Sequence, residues 1–122
     1  MTVAEAQPEA QRVYGLNPTQ RFIGLVGDRV MYWNPVLPSG VEFFDKGQPE
    51  KRYRIDIPNN REMWMVRDWH VEDVESAYPG EKPGEIWLEV YWQPKGYTES
   101  RIAMRKVEVK DAKPMPPLNR KP

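Results

Sequence analysis

The chain has 122 residues and no net charge, with 18 lysine and arginine residues against 18 aspartate and glutamate residues. This length suits one domain with its own core, and the hydrophobic content of 39% is typical of a globular chain. The absence of cysteine excludes disulfides, thiolate metal sites and a cysteine nucleophile. There is no apolar run of membrane-spanning length and no signal-peptide pattern at the start, so we expect a cytoplasmic protein or a component of a virion.

Residues 1–20 are predicted to be an N-terminal arm. They show no alternation of apolar and polar residues and hold few large apolar groups. A short helix across Ala4–Val13 is an alternative, but its apolar face would be thin. We therefore expect an extended arm whose Tyr14 and Leu16 dock on another surface.

Residues 21–110 are predicted to form a β-domain. Its first two strands, Arg21–Val26 and Arg29–Trp33, are separated by Gly27-Asp28, which is a two-residue hairpin signal. Residues 72–84 contain two Pro-Gly pairs and are predicted to be a loop. Further strands are predicted at Val41–Asp45, Tyr53–Ile57, Glu62–Val71, Glu85–Gln93 and from Tyr97 or Ser100 to Val109. About seven antiparallel strands with short turns predict an all-β fold, either a sandwich or a small barrel.

The segment Glu85–Gln93 alternates most clearly. Successive side chains of a strand point to opposite faces, so one face carries Ile86, Leu88, Val90 and Trp92. The other face carries Trp87, Glu89, Tyr91 and Gln93. The first is a core face, whereas the second is half aromatic and has to rest against something. We expect an arm of the same chain, a neighbouring subunit or a nucleobase there, in that order.

The last predicted strand changes phase along its length. In a regular strand, Ile102 and Met104 would lie on one face, and Val107 and Val109 would lie on the other. A β-bulge or a sharp bend between the two pairs would return both of them to the core. The basic residues Arg105 and Lys106 lie at this point and are candidate contacts for a partner.

Residues 111–122 are predicted to be an extended, proline-rich and basic tail. Pro114, Pro116 and Pro117 favour a polyproline conformation, which loses little entropy when the segment lies on a surface. From Pro94 to the end the chain carries eight Lys or Arg residues against three acidic residues, a net charge of +5. The tail is therefore predicted to be a semi-rigid strap that binds a partner.

Residues suited to catalysis are few. His70 is the single histidine, and on a strand it shares a face with Asp68 and Glu72. A metal site with one histidine and no cysteine is uncommon, so a polar surface is the better interpretation. No serine lies in a strand-to-helix elbow, and no glycine-rich phosphate loop is present. We expect no enzymatic activity, no metal and no cofactor.

The sequence therefore favours a non-enzymatic structural or interaction protein, a homo-oligomer or a subunit of a larger assembly. A decoration-type virion protein is one version of this hypothesis. The alternative is a small β-barrel that binds nucleic acid or its machinery through strand aromatics and basic residues. The residues predicted to contact a partner are Tyr14, Leu16, Trp87, Tyr91, Arg105, Lys106, Pro114, Pro116 and Pro117.

Overall fold

The computed structural model describes residues 6–58 and 69–116, and these residues form two antiparallel β-sheets and one helix. The helix α1 spans Gln7–Tyr14. The eight strands are β1 Arg21–Val26, β2 Arg29–Trp33, β3 Gly40–Asp45, β4 Tyr53–Asp56, β5 Trp69–Pro79, β6 Glu85–Pro94, β7 Arg101–Glu108 and β8 Lys113–Pro114. The five-stranded sheet has the order β1-β2-β3-β4-β8, and the three-stranded sheet has the order β5-β6-β7. The predicted all-β sandwich is confirmed, and the described strands do not close into a barrel.

The main core lies between the two sheets. Each sheet contributes one apolar face, as the alternation within the strands requires. The five-stranded sheet contributes Ile23, Met31, Trp33, Val41, Phe43 and Ile55. The three-stranded sheet contributes Trp69, Val71, Val74, Ala77, Ile86, Leu88, Val90, Trp92, Ala103 and Val107. The core face predicted for β6 is therefore confirmed.

The N-terminal segment is helical over Gln7–Tyr14, and the expectation of an extended arm was wrong for these residues. Pro8 lies in the first turn, and Gly15 ends the helix in the left-handed conformation that glycine favours. The thin apolar face is sufficient because it packs on the outer face of the five-stranded sheet, where it covers Phe22, Val30, Tyr32 and Phe44. Among the described residues, no helix is long and apolar enough to cross a membrane.

Strand β5 continues through residues 72–79, where the sequence predicted a loop. Two irregularities in its pairing with β6 explain the error, one between Val71 and Asp73 and one between Val74 and Ser76. Each inserts a residue, so the buried side chains Val71, Val74 and Ala77 recur every third position instead of every second. The predicted strand Glu62–Val71 lies outside the described residues up to position 68, and its last three residues open β5.

Strand β7 pairs with β6 in unbroken register, so the predicted bulge near Arg105 was wrong. The strand keeps Ala103 and Val107 in the core and leaves Ile102 and Met104 on the opposite, exposed face. The prediction assumed that large apolar residues of this strand must be buried. The structure instead places two of them in solvent.

We predict that Gly24→Ala destabilises the fold by about 2 to 4 kcal/mol. Gly24 has φ +144°, and a Cβ atom there would lie 2.7 Å from the carbonyl oxygen of Ala77, where β1 crosses β5. The matched control is Gly47→Ala, because Gly47 has open space around it and should change stability by less than about 0.5 kcal/mol. Urea unfolding of both variants measures the difference, and equal stabilities would contradict the close approach of the two strands.

Candidate functional site

The candidate site is the face of the three-stranded sheet that points away from the core, hereafter the outer face. Its large side chains are Tyr78, Trp87, Tyr91, Ile102 and Met104. The register places Tyr78 opposite Trp87 and Tyr91 opposite Ile102. Side chains directly opposite on neighbouring antiparallel strands are close neighbours, so the face carries two such pairs, and Met104 lies between them opposite Glu89.

Four of these side chains are exposed to an unusual degree for their size. Tyr78 is 48% exposed, Trp87 38%, Ile102 57% and Met104 43%, and Tyr91 is half-buried. Single apolar residues are common on protein surfaces, but a contiguous group of this kind marks an interaction site. The two faces of β6 thus differ sharply, since Trp92 on the core face is only 2% exposed.

The outer face of the other sheet is covered. Helix α1 and the residues after it place Ala10, Leu16 and Tyr14 over that sheet, where Tyr14 stacks on Phe22 with ring centroids 6.0 Å apart. The side chain of Gln7 fixes the helix, because its oxygen accepts a hydrogen bond from the backbone N–H of Phe22 at 2.9 Å. Helix α1 thus packs on the outer face of the five-stranded sheet, where Leu25 stays 39% exposed, and not on that of the three-stranded sheet.

The position of α1 determines what Tyr14 and Leu16 contact. Both dock, as the sequence predicted, but they dock on the chain's own five-stranded sheet. Leu16 is buried there and Tyr14 is half-buried. Their contacts are therefore intramolecular, and the first-ranked expectation that an arm of the same chain covers Trp87 and Tyr91 is not met by α1.

Three carboxylates surround Tyr91 on the outer face. Asp73 lies opposite Tyr91 in the register, Glu89 precedes Tyr91 by two residues on the same face, and Glu75 contacts both carboxylates electrostatically. The guanidinium of Arg21 on β1 pairs with Asp73 at 3.4 Å and also with Glu75. The outer face thus combines large apolar side chains with an acidic group that lies on β5 and, through Glu89, on the central strand β6.

The crowding of these carboxylates raises the pKa of one of them, Glu75. A hydrogen bond with Asp73 raises the pKa of Glu75 to about 7, and loss of hydration and the charges of Asp73 and Glu89 act in the same direction. The positive charge of Arg21 offsets only part of this rise. The pKa of Tyr91 is also raised, first by loss of hydration and then by Glu89, Glu75 and Asp73.

The structure separates Arg105 from Lys106. Arg105 has the parity of the core face, and its Nε donates a hydrogen bond to the carbonyl oxygen of Pro58 at 3.0 Å. Lys106 lies on the outer face opposite Trp87, where its ammonium group is 3.3 Å from Glu85. The two basic residues therefore do not form one groove beside the aromatic side chains.

The C-terminal tail lies along the edge of the five-stranded sheet. Strand β8 pairs with β4, and the N–H of Met115 donates to the carbonyl oxygen of Arg52 at 2.8 Å. Pro114 and Pro116 are exposed, and the strap is extended as predicted over Lys113–Pro114, whereas Asp111 ends a short 3-10 helix at Val109–Asp111 where an extended tail was predicted. Pro117 lies outside the described residues, and the contacts of Pro114 and Pro116 with a partner stay predictions.

A buried carboxylate fixes the arginine that holds the strap. Glu42 is 1% exposed and lies 3.7 Å from Arg52 and 3.6 Å from Arg54. Arg52 then donates to the carbonyl oxygen of Pro116 at 3.2 Å. A buried carboxylate requires paired cations, so the strap is anchored by the interior of the chain and not by the surface alone.

The described residues contain no group of three or more histidine, cysteine, aspartate or glutamate side chains arranged to hold a metal ion. His70 is exposed on β5, and Glu72 is bonded to the hydroxyl of Ser100. Asp68, the third member of the set considered from the sequence, lies outside the described residues.

Sequence reasoning found Trp87 and Tyr91 on this face but missed Tyr78, Ile102 and Met104. Tyr78 was assigned to a loop, and Ile102 and Met104 were assigned to the core. A signal was present for the last two, because they share one parity while Ala103 and Val107 share the other. The acidic group was missed because Asp73 and Glu75 fall where the two bulges disturb the alternation.

A scan against protein-family models, a search of curated proteins and a search of solved structures found no match to this chain.

We predict that Trp92→Ala and Trp87→Ala affect stability very differently although both lie on β6. Removing the buried Trp92 should lower the free energy of unfolding by about 3 to 5 kcal/mol. Removing Trp87 should cost about 1 kcal/mol, since it loses mainly its cross-strand contact with Tyr78. Urea unfolding checks both values. A larger loss for Trp87→Ala would mean that the faces of β6 have the reverse roles.

We predict that Glu75 makes stability depend on pH between about 4.5 and 7. Its pKa is higher in the folded chain than in the unfolded chain, so its contribution is fully present below about pH 4.5 and is lost as pH rises through about 7. Because the side chain is partly exposed, we expect a change of at most about 1 kcal/mol. Unfolding of wild type and Glu75→Gln at pH 5 and pH 8 measures it. Parallel pH profiles for the two proteins would contradict the raised pKa.

Proposed function

We propose that the chain is a non-enzymatic interaction protein that binds another protein through the outer face. The exposure of Trp87 together with Ile102 and Met104 carries this proposal. Burying apolar side chains of this size is the main favourable contribution to protein association. Tryptophan and tyrosine are also the residues that most often dominate binding energy in interfaces.

The arrangement of the chain suits a subunit of a larger assembly. The helix α1 and the strap at residues 113–116 are both held by the chain's own five-stranded sheet. They leave the three-stranded sheet as the surface that a partner can reach. A decoration-type subunit of a virion and a cytoplasmic complex are two settings in which such a protein would act.

Nucleic-acid binding remains the second hypothesis, but the charges give it less support. A strand surface that binds nucleic acid combines aromatic side chains with basic ones. Here Tyr91 is surrounded by Asp73, Glu75 and Glu89, and Arg105 is directed toward Pro58. Phosphate groups would be repelled by the carboxylates beside the aromatic side chains.

The proposal predicts that the double variant Trp87→Ala, Met104→Ala loses the partner. Immobilised wild-type protein is compared with this variant and with Val36→Ala, which removes a side chain that is 73% exposed in a loop away from the outer face. Proteins that bind to immobilised wild type and to immobilised Val36→Ala, but not to the immobilised double variant, are identified. The affinity of each for the three immobilised proteins is then measured. We expect a loss of about 2 kcal/mol, or roughly 30-fold in Kd.

Native mass at several concentrations tests the same surface for self-assembly. A mass that falls in the double variant alone would also support binding through the outer face. If wild type and double variant retain the same proteins and have the same mass at every concentration, the proposed function is wrong.

A further inference from the structure

The outer face has a charge pattern as well as an apolar surface. Trp87, Ile102 and Met104 form its exposed apolar part, and Glu89 lies between them, opposite Met104 in the register. Asp73 and Glu75 border the same surface on β5. A partner that buries the apolar side chains therefore also approaches three carboxylates.

These carboxylates have little compensation from the chain itself. Within the described residues, these carboxylates form ion pairs with one cation, Arg21, which contacts Asp73 and Glu75. Lys106 is engaged with Glu85 at 3.3 Å. The pKa of Glu75 is raised first by its hydrogen bond with Asp73, then by loss of hydration and by the charges of Asp73 and Glu89. A positive charge brought from outside would favour the ionised form of Glu75.

We propose that the occupant of the outer face is a protein segment that carries arginine or lysine beside apolar side chains. This inference rests on the proposed function and specifies the chemistry of the partner. Its apolar side chains contact Trp87, Ile102 and Met104, and its cation binds between Glu75 and Glu89. Arginine is the better fit, because its planar guanidinium donates two hydrogen bonds to a carboxylate and packs on aromatic rings.

The same charges argue against two other occupants. A second copy packed with its outer face on this one would place carboxylates against carboxylates, which weakens association at neutral pH. A nucleic acid would bring phosphates to the same acidic group. The carboxylates therefore select among partners that would all gain from burying Trp87.

A pair of peptides tests the inference on the full chain. The first has the sequence glycine-leucine-arginine-leucine-leucine-arginine-leucine-glycine, and in the second glutamate replaces both arginines. Calorimetric titration at pH 8 keeps Glu75 ionised. We expect the arginine peptide to bind about 10-fold or more tightly than the glutamate peptide, because charge-assisted hydrogen bonds are lost in the second.

Variants of the chain locate the binding site. Glu75→Gln with Glu89→Gln should weaken the arginine peptide about 10-fold, whereas Glu50→Gln with Glu81→Gln, two exposed positions in turns, should leave its affinity unchanged. Trp87→Ala should weaken both peptides. Thermal unfolding of each variant verifies that it is folded, and rising salt should weaken the arginine peptide only.

The possible failures of the inference and of the proposed function are distinguishable. If the arginine peptide does not bind, or if the glutamine substitutions do not change its affinity, the inferred chemistry is wrong while the outer face can still bind an apolar partner. A dimer at neutral pH that Trp87→Ala dissociates would replace the cationic segment with a second copy. Retention of single-stranded DNA that Trp87→Ala abolishes would overturn both the inference and the proposed function.

Discussion

The two sheets of this domain have four faces, and each face is either packed against another part of the chain or exposed to solvent. Two faces meet in the core between the sheets, where β6 contributes Ile86, Leu88, Val90 and Trp92. The third face is covered by α1 and Leu16. The fourth carries Trp87, Ile102 and Met104 in solvent. The proposed function follows from this difference between the two outer faces, because helix α1 packs on one of them and leaves large apolar side chains exposed on the other.

The alternation of residues made much of this architecture predictable. Strand β6 obeys it closely, whereas β1 and β2 were predicted as apolar-rich segments on either side of the hairpin signal Gly27-Asp28. The two faces of Glu85–Gln93 were assigned correctly from the sequence. The helix was harder to predict, because α1 is stabilised by packing on Phe22 and Phe44 and not by a strong apolar face of its own.

The errors have a common physical origin in irregular strand geometry. Residues 72–79 of β5 were predicted to be part of a loop because of the Pro-Gly pairs, and two bulges hid the strand by spacing its buried residues Val71, Val74 and Ala77 every third position. The opposite error was made in β7, where a bulge was predicted to bury Ile102 and Met104. Hydrophobicity alone does not distinguish a large apolar residue in the core from one on the exposed face of a sheet. The register with the neighbouring strand is needed to assign such a residue to the core face or to the outer face.

The candidate site could be predicted only in part for the same reason. Trp87 and Tyr91 are visible from the pattern of one strand, whereas the remainder of the outer face requires the register of three strands. The acidic group requires in addition the crossing of β1 and β5, which brings Arg21 to Asp73 and Glu75 although about 50 residues separate them along the chain. Charge at this site is thus a property of the fold and not of any one segment.

Oxidative footprinting of the isolated full-length protein tests the central claim most directly. Met104 and Trp87 are exposed on the outer face, whereas Met31 and Trp92 are buried in the core and provide internal controls. The account predicts rapid oxidation of Met104 and Trp87, slow oxidation of Met31 and Trp92, and protection of the first pair when a partner binds. If Met104 and Trp87 were as slow as Met31 and Trp92 in the isolated protein, the outer face would already be covered and the account would be contradicted.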